Sequence, residues 1–261
     1  MKKFFAVLFL AFGFFGLNAK DIEDTSKPVL RIGIEVGYPP MVFDGANGVE
    51  GLEIDFIKKF CKERGFTYTF IKMSFNELIP ALLDKRIDII MSGMSITETR
   101  AMRVSFTDSY ATVGQMALVR RIDAPKYPDL ASILNSIGNV GAITGNTSFR
   151  FVKENLYFSN LIEQATTKDA IESLTSRKID MFIADAPLIM WLAQNFENQG
   201  IIPLRTLLTK EQLAWAVRKE DHWLRIHLNN FLKESRKNGF LDAILIKWMP
   251  FLFYKENLPN S

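Results

Sequence analysis

The segments LIPALLDKRIDIIMSG, residues 78–93, and AIESLTSRKIDMFIAD, residues 170–185, decide the fold. In each, the apolar spacing of a short helix runs directly into a continuous apolar strand, and the RID of the first is matched by the KID of the second. Two such units predict two similar α/β lobes. Helix-strand units also recur by chance in α/β proteins, and the pattern alone leaves that alternative open.

The residues before the first unit continue the same alternation of elements. Residues 30–36 alternate apolar with polar or small side chains, which predicts a strand. Asp55 precedes a helix whose apolar positions run to Cys61 and which Gly65 ends, and residues 66–73 predict the next strand. The helical spacing predicts that Cys61 is a buried apolar residue. The order strand, helix, strand indicates a mostly parallel sheet flanked by helices.

Polar residues follow the apolar strand of each repeated unit. They are Ser92, Gly93 and Ser95 in the first unit and Asp185 in the second. Ligands of open α/β sheets bind beyond the carboxyl ends of the strands. We therefore expect both groups to face one crevice.

Residues 1–19 have the form of a secretory signal peptide. Lys2 and Lys3 precede an apolar run over residues 4–17, and Ala19 offers a small-residue cleavage point. The run is shorter than the roughly 20 residues that a membrane-spanning helix needs, which favours cleavage after Ala19 over a retained anchor. We expect the chain to be exported.

The composition excludes several classes of function. Without Lys2 and Lys3 the chain has about 30 basic against 29 acidic residues, too balanced for nucleic-acid binding. The single cysteine, Cys61, allows no internal disulfide and lies too far from Ala19 to accept a lipid anchor. Only two histidines are present and no metal-ligand pair or Ser-His-Asp set is recognisable, so no metal, cofactor or hydrolytic site is expected.

Several longer stretches resemble one family, the polar amino-acid-binding proteins of bacterial ABC importers. They are YPPMVF (38–43), GLEIDFIKKF (51–60), LIPALLDKRIDIIMSGMSITETRAMRVSFTDSY (78–110), VGAITGNTS (140–148), KIDMFIADA (178–186) and LAWAVRKEDHWLRIHLNNFLKESRKNGFLDAILIKW (213–248). The resemblance runs in the family's order over roughly residues 30–248. Its most specific part extends from IDIIMSGMSITETR to FTDSY.

This resemblance implies a two-lobed periplasmic binding protein fold of type II. Lobe 1 would comprise residues 28–112 and 212–255, and lobe 2 residues 113–211. The two hinge segments are expected near 111–115 and 204–213. The resemblance also implies a monomer in the periplasm that delivers an amino acid to an ABC transporter permease in the inner membrane.

The family's site residues have physical reasons beside the resemblance. A free amino acid has a carboxylate and an ammonium. Burying either ion without a partner costs on the order of several kcal/mol, because the ion loses its hydration. Arg100 can hold a carboxylate through two parallel hydrogen bonds, whereas the alternative is a solvated surface arginine. Asp185 is expected to accept from the ammonium, and its alternative role is to cap a helix beginning near Pro187.

Smaller polar groups are expected to complete the hydrogen bonds to the ligand's carboxylate and ammonium. Ser92, Gly93 and Ser95 offer hydroxyls and amides, although a serine after a strand also suits a helix N-cap, as Ser95 could be. Thr147 is expected to direct its amide and hydroxyl to the same carboxylate, with helix capping as the alternative.

The remaining predicted site residues concern the ligand's side chain. Tyr38 and Phe75 match aromatic positions that sandwich the ligand's stem in the family, although such aromatics are more often core residues. Glu35 is the predicted specificity determinant, favouring arginine, lysine, ornithine, histidine or glutamine over aliphatic ligands. Met94 and Ile143 are expected to shape the same pocket, although a flexible methionine also fills gaps in any core.

Two other functions share features with this one. A cyclohexadienyl dehydratase has the same two-lobed fold, and Glu35 or Asp185 could then supply its acid. A sensory module is a third class, but no accompanying kinase segment is recognisable.

Gly93 stands where relatives often have serine and Met41 where phenylalanine is common, so the pocket is expected to lose one hydroxyl contact.

Overall fold

The computed structural model describes residues 29–252. The predicted signal peptide and its cleavage point after Ala19 lie outside this range. In chain order, the strands are β1 (Val29–Ile34), β2 (Phe43–Gly45), β3 (Gly48–Glu50), β4 (Thr67–Lys72), β5 (Ile89–Ile90), β6 (Ser105–Phe106), β7 (Ala111–Val113), β8 (Gln115–Arg120), β9 (Gly138–Ile143), β10 (Ser159–Gln164), β11 (Met181–Asp185), β12 (Ile201–Pro203), β13 (Glu211–Leu213) and β14 (Ala216–Val217).

Nine α-helices accompany these strands within residues 29–252. They are α1 (Leu52–Arg64), α2 (Phe75–Leu83), α3 (Glu98–Ala101), α4 (Leu130–Leu134), α5 (Thr147–Asn155), α6 (Thr167–Thr175), α7 (Ala186–Asn195), α8 (His222–Lys237) and α9 (Phe240–Trp248). Short 3₁₀ turns cover Arg121–Lys126, Glu197–Gln199 and Pro250–Leu252.

Two five-stranded sheets form the two lobes. The first has the order β4-β1-β5-β14-β6 and the second the order β10-β9-β11-β8-β12. In each sheet three strands are parallel, the fourth is reversed and the fifth runs antiparallel to the fourth. The predicted mixed α/β, two-lobed fold with mostly parallel sheets is therefore confirmed. The repeated helix-strand units supply α2 with β5 in one lobe and α6 with β11 in the other.

Two strands pair as a ribbon where the chain passes between the sheets. β7 and β13 are antiparallel, with Val113 opposite Glu211 and Ala111 opposite Leu213. Gly114 follows β7 and packs against the second segment that joins the two sheets. A Cβ built on Gly114 would lie 2.1 Å from the carbonyl oxygen of Thr209 in that segment. The two crossing segments thus touch each other directly.

The first helix begins earlier than its sequence pattern indicated. The prediction placed its start after Asp55, but α1 begins at Leu52 with Gly51 as its N-cap residue. The amide of Leu52 donates to the carbonyl of Pro40, which ties the helix start to the turn before it. Gly65 is the left-handed C-cap, and Cys61 is buried, both as expected.

Candidate functional site

A narrow cavity lies between the carboxyl ends of the two sheets. About 260 Å³ of space within it is not filled by atoms, and part of that space is open to the solvent. The residues that line it are Glu35, Tyr38, Phe75, Ser92, Gly93, Ser95, Arg100, Asn146, Thr147 and Asp185. All nine predicted ligand-binding residues lie in this one lining, together with Asn146, which the sequence analysis did not identify.

Arg100 projects into the cavity from α3. Its Nη1 donates to the carbonyl oxygen of Ser95 at 2.9 Å, and its Nη2 donates to the carbonyl oxygen of Gly145, in the other lobe, at 3.3 Å. Its guanidinium carbon lies 5.0 Å from the ring centre of Phe75, which is a cation–π contact. Burial lowers the pKa of Arg100, and the carboxylates of Asp185 and Glu211 oppose that shift. The guanidinium stays charged and is held in place for an anionic partner.

Asp185 ends β11 on the opposite lobe. The Tyr38 hydroxyl donates to its Oδ2, and Gln115 Nε2 donates to its Oδ1 at 2.5 Å. Asp185 is the N-cap residue of α7, but its side chain makes no capping hydrogen bond, so the capping alternative is wrong for the carboxylate. Burial, and next the charge of Glu211, raise the pKa of Asp185 to about 7.

Glu35 lies at the other end of the cavity and is half-buried. Its Oε1 accepts from the backbone amide of Phe75 at 3.2 Å. Burial raises the pKa of this carboxyl above its ordinary value, and the Phe75 amide partly opposes the rise. A wider groove with apolar walls shares Glu35 and Tyr38 with the cavity and opens beside it. A side chain passing Glu35 would reach this groove.

The segment from Ser92 to Ser95 is fixed by hydrogen bonds from behind. Ser92 Oγ accepts from the amide of Glu35 at 3.0 Å, which leaves the serine hydroxyl hydrogen available. The amide of Gly93 does not serve the cavity, because it donates to Glu53 at 3.0 Å. Ser95 bridges to Leu213 of the ribbon and does not cap α3, whose N-cap is Thr97.

Gly93 has a positive φ of 63° and lies against the ring of Tyr38. A Cβ at this position would be 2.8 Å from Tyr38 Cε1. The Tyr38 ring therefore occupies the space that a serine side chain would need, which explains why glycine stands here.

Thr147 is joined to Asp185 through a residue that the sequence analysis missed. Gln115, the first residue of β8, is fully buried, and its Nε2 lies 2.9 Å from Thr147 Oγ1 as well as on Asp185. Asn146, not Thr147, is the N-cap residue of α5. The signal that could have indicated Gln115 is its polar character at the start of an otherwise apolar strand, next to a predicted hinge segment.

Two further carboxyl groups support the site from outside its lining. Glu211, in β13, accepts from Gln115 Nε2 at 2.9 Å. Glu53, in α1, is fully buried and accepts from the Tyr110 hydroxyl at 2.5 Å and from the Gly93 amide. Burial raises the pKa of Glu53 to about 7. Neither residue carries a local sequence signal, because each reaches the site only through the tertiary fold.

The expectation that Met94 and Ile143 shape the same pocket is wrong for Met94. Met94 is buried in the apolar cluster beneath α2 and β5, because its side chain points to the core side of the segment. Ile143 lines the wider groove and not the narrow cavity.

Among residues 29–252 no helix combines the length and the apolar character needed to cross a bilayer. In the same range no three potential metal-ligating side chains of histidine, cysteine, aspartate or glutamate lie together.

Known proteins resemble the chain over almost its whole length. The sequence profile of the bacterial extracellular solute-binding proteins, family 3, matches residues 30–251. The ABC transporter arginine-binding protein 1 of Escherichia coli is 27% identical over 96% of this chain and 100% of its own. The histidine-binding periplasmic protein of Salmonella typhimurium is 30% identical over 97% of this chain and 99% of its own.

Solved structures show the same similarity. A binding component of an ABC transporter from Wolinella succinogenes, complexed with lysine, has a TM-score of 0.80 and 29% identity, covering 84% of this chain and 95% of its own. An ancestral amino acid-binding protein described as a precursor of cyclohexadienyl dehydratase has a TM-score of 0.78 and 32% identity, with the same coverage.

Proposed function

The chain belongs to the bacterial extracellular solute-binding proteins, family 3, and on that basis we propose that it captures a cationic amino acid between its two lobes for delivery to an ABC importer. One observation carries the proposal. The guanidinium of Arg100 and the carboxylate of Asp185 line a single narrow cavity from opposite lobes. An amino acid can bridge them with its own carboxylate and ammonium, so that closure depends on the ligand.

The charge of the cavity favours a cationic side chain. Its lining contains the carboxyls of Glu35 and Asp185 but only one guanidinium, that of Arg100. A zwitterionic ligand adds one charge of each sign and leaves one negative charge in excess. Lysine, arginine or ornithine would cancel this excess with a side chain directed to Glu35. The names of the similar proteins, which refer to arginine, histidine and lysine, support the same class.

The remaining parts of the proposal concern organisation and location. We assign residues 28–112 and 212–255 to lobe 1 and residues 113–211 to lobe 2, joined by the crossings that contain β7 and β13. The protein is proposed to act as a monomer in the periplasm after cleavage behind Ala19, with the permease of the inner membrane as its partner.

The test is calorimetric titration of the exported protein after any co-purified ligand has been removed by unfolding and refolding. The probes are the twenty amino acids, ornithine and prephenate. One or a few cationic amino acids should bind tightly, and Arg100→Ala should weaken them by about 100-fold or more, because a charge-assisted bidentate contact is lost. Arg103→Ala is the matched control, since Arg103 is exposed three residues away.

The same titration addresses catalysis. The similarity to a precursor of cyclohexadienyl dehydratase makes prephenate the relevant alternative ligand. Binding and turnover of prephenate, together with no response to any amino acid, would overturn the transport proposal.

A further inference from the structure

Glu211 lies behind the wall of the cavity, in the second crossing segment. Its Oε1 accepts from Gln115 Nε2 at 2.9 Å and from Thr209 Oγ1 at 2.8 Å. Its Oε2 is buried and has no partner in the part of the chain that the structure describes. The carboxylate is therefore partly buried between the site and the outer groove that Glu211 also lines.

Glu211 and Asp185 meet at one nitrogen. Gln115 Nε2 lies 2.5 Å from Asp185 Oδ1 and 2.9 Å from Glu211 Oε1, so two carboxyl groups face each other across a single amide. Gln115 is itself fully buried, and its Oε1 has no partner among residues 29–252. Two carboxylates that share a buried site resist simultaneous ionisation.

The groups that face this pair do not supply enough positive charge. On the side of Glu211, the exposed Arg150 and Lys210 line the outer groove, where solvent screens their charges. The titratable and charged groups around Asp185 are Tyr38, Arg100, Tyr110 and Glu211. Arg100 is the only cation among them, and it is the residue proposed to bind the ligand's carboxylate. The pair needs a further positive charge, which a proton or an ammonium can provide.

Carboxyls this close titrate as a pair, so the ligand-free pair shares one proton. Burial alone would raise the pKa of Glu211, but hydroxyl and amide donors, Gln115 and Thr209 among them, hold it below its ordinary value. The pKa of Asp185 instead rises to about 7, first through burial and then through the charge of Glu211. The proton is therefore assigned to the pair of Asp185 and Glu211.

We propose that Glu211 is a positioning residue for Asp185: by facing Asp185 across the Gln115 amide, it makes the ligand-free site hold a proton that the ammonium of an amino acid displaces. The inference rests on the proposed function, in which Asp185 receives that ammonium. On binding, the pair loses its proton to the solvent and the Asp185 carboxylate pairs with the ammonium. One positive charge replaces another, and capture of the ligand is coupled to release of a proton.

Calorimetry in two buffers of different ionisation enthalpy measures this release. With L-arginine and L-lysine as probes, the unmodified protein should release about half a proton per ligand at pH 7 and nearly one at pH 6, as expected for a group that titrates near 7. Glu211→Gln should reduce the release at pH 7 to below about 0.2. Glu211→Asp, which keeps the charge, should retain most of it.

The controls separate this role from a structural one. Glu154→Gln makes the same change at an exposed glutamate of the outer groove that Glu211 also lines, and should leave the release unchanged. An equal loss of affinity at pH 6 and pH 8 in Glu211→Gln, with unchanged proton release, would overturn the inference. So would release that persists in Glu211→Gln and disappears in Glu53→Gln. Absence of binding by every amino acid would instead refute the proposed function.

Discussion

Glu35 differs from Asp185 in the groups that satisfy its carboxylate. Asp185 accepts from two side chains, whereas Glu35 accepts only the amide of Phe75 among the described residues. Because Glu35 also lines the wider groove, its carboxyl is available to a ligand's side chain that enters this groove. The two carboxyls therefore suit different ends of a cationic amino acid.

Glu35→Gln should reduce the preference for cationic amino acids over glutamine and not the affinity for all amino acids alike. We expect arginine and lysine to bind about 10- to 100-fold more weakly, because a half-buried charge pair is lost, and glutamine to change by less than about threefold. Parallel titrations of the three amino acids measure the effect. Glu172→Gln, at an exposed position lining the same groove, is the control. An equal loss for arginine and glutamine would contradict the role of Glu35.

At the scale of the elements, each repeated helix-strand unit is held by an arginine that is distant in the chain: Arg218 directly follows β14, and Arg120 ends β8. In lobe 1, Arg218 donates to the carbonyl of Ile87 at 2.5 Å and to Asp88 at 3.1 Å. In lobe 2, Arg120 donates to the carbonyl of Ile179 at 2.6 Å and to Asp180 at 2.9 Å.

The turns within these units repeat as well. Lys85 and Arg177 both adopt a left-handed backbone conformation, with φ of 57° and 64°, two residues before the apolar residue of the RID and KID motifs. Each aspartate also caps the neighbouring strand by accepting from its backbone, at Arg31 and at Asn139. The two units therefore share backbone conformation and hydrogen bonds as well as the matching RID and KID residues.

We expect Arg120→Ala and Arg218→Ala each to lower the free energy of unfolding by about 3–5 kcal/mol, because each removes a buried ion pair and leaves two carbonyls without their side-chain donor. Urea unfolding followed by circular dichroism measures the loss. Arg121→Ala removes an exposed arginine next to Arg120 and should cost less than about 0.5 kcal/mol. Losses below about 0.5 kcal/mol at Arg120 and Arg218 would show that these two arginines do not hold the repeated helix-strand units.

The same elements show how far the sequence could predict the structure. Periodicity and the repeated tripeptide predicted the two sheets, and the resemblance placed Arg100 and Asp185 at one crevice, since these signals lie within single strands or motifs. Arg218 could not be predicted, because its partners lie 131 and 130 positions away in the chain and nothing local marks it. Glu211 was missed for the same reason, as its partner Gln115 is 96 positions away.

At the scale of the whole molecule, two buried carboxyls make stability depend on pH. The pKa values of Glu53 and Asp185 are raised to about 7, mainly by burial, while in the unfolded chain such groups titrate near 4. Between about pH 4 and pH 7 the folded protein therefore holds protons that the unfolded chain has released. The stability that these groups contribute is present below pH 4 and is lost as the pH rises through 7.

We expect the free energy of unfolding of the ligand-free protein to fall between pH 5 and pH 8, by up to about 2.5 kcal/mol for each group. Urea titrations at unit steps of pH measure it. Glu53→Gln removes one titrating group, keeps an acceptor for Tyr110 or Gly93, and should flatten the curve. An identical slope in the variant would mean that Glu53 does not titrate in this range.

The two lobes also touch directly around the cavity. Asn76 Nδ2 lies 3.5 Å from the carbonyl of Thr144, and Thr167 Oγ1 donates to the carbonyl of Gly37 at 3.3 Å. Together with the contacts of Arg100 with Gly145 and of Tyr38 with Asp185, these bonds describe a closed arrangement. If the ligand is captured by closure, a side chain added at such a contact should weaken binding without damaging either lobe.

Gly145 provides that test. It has a φ of +89°, and a Cβ on it would lie 1.9 Å from Asn76 Oδ1 in the facing lobe. Gly200 has a φ of +68° and open space around it, so Gly200→Ala carries similar backbone strain without the clash. Both alanine variants should lose about 1 kcal/mol of stability, because a non-glycine residue is forced into a left-handed conformation.

Only Gly145→Ala should lower the affinity for the amino acid, by about threefold to tenfold, because closure of the lobes must then displace the Asn76 side chain. Adding Asn76→Ala should recover most of that affinity and none of the stability, because it removes the obstacle but not the backbone strain. Calorimetric titration and urea unfolding of the same four proteins separate the two effects. Equal affinities for Gly145→Ala and Gly200→Ala would mean that the ligand is held with these lobe surfaces apart, and the bridging roles of Arg100 and Asp185 would then need a wider cleft.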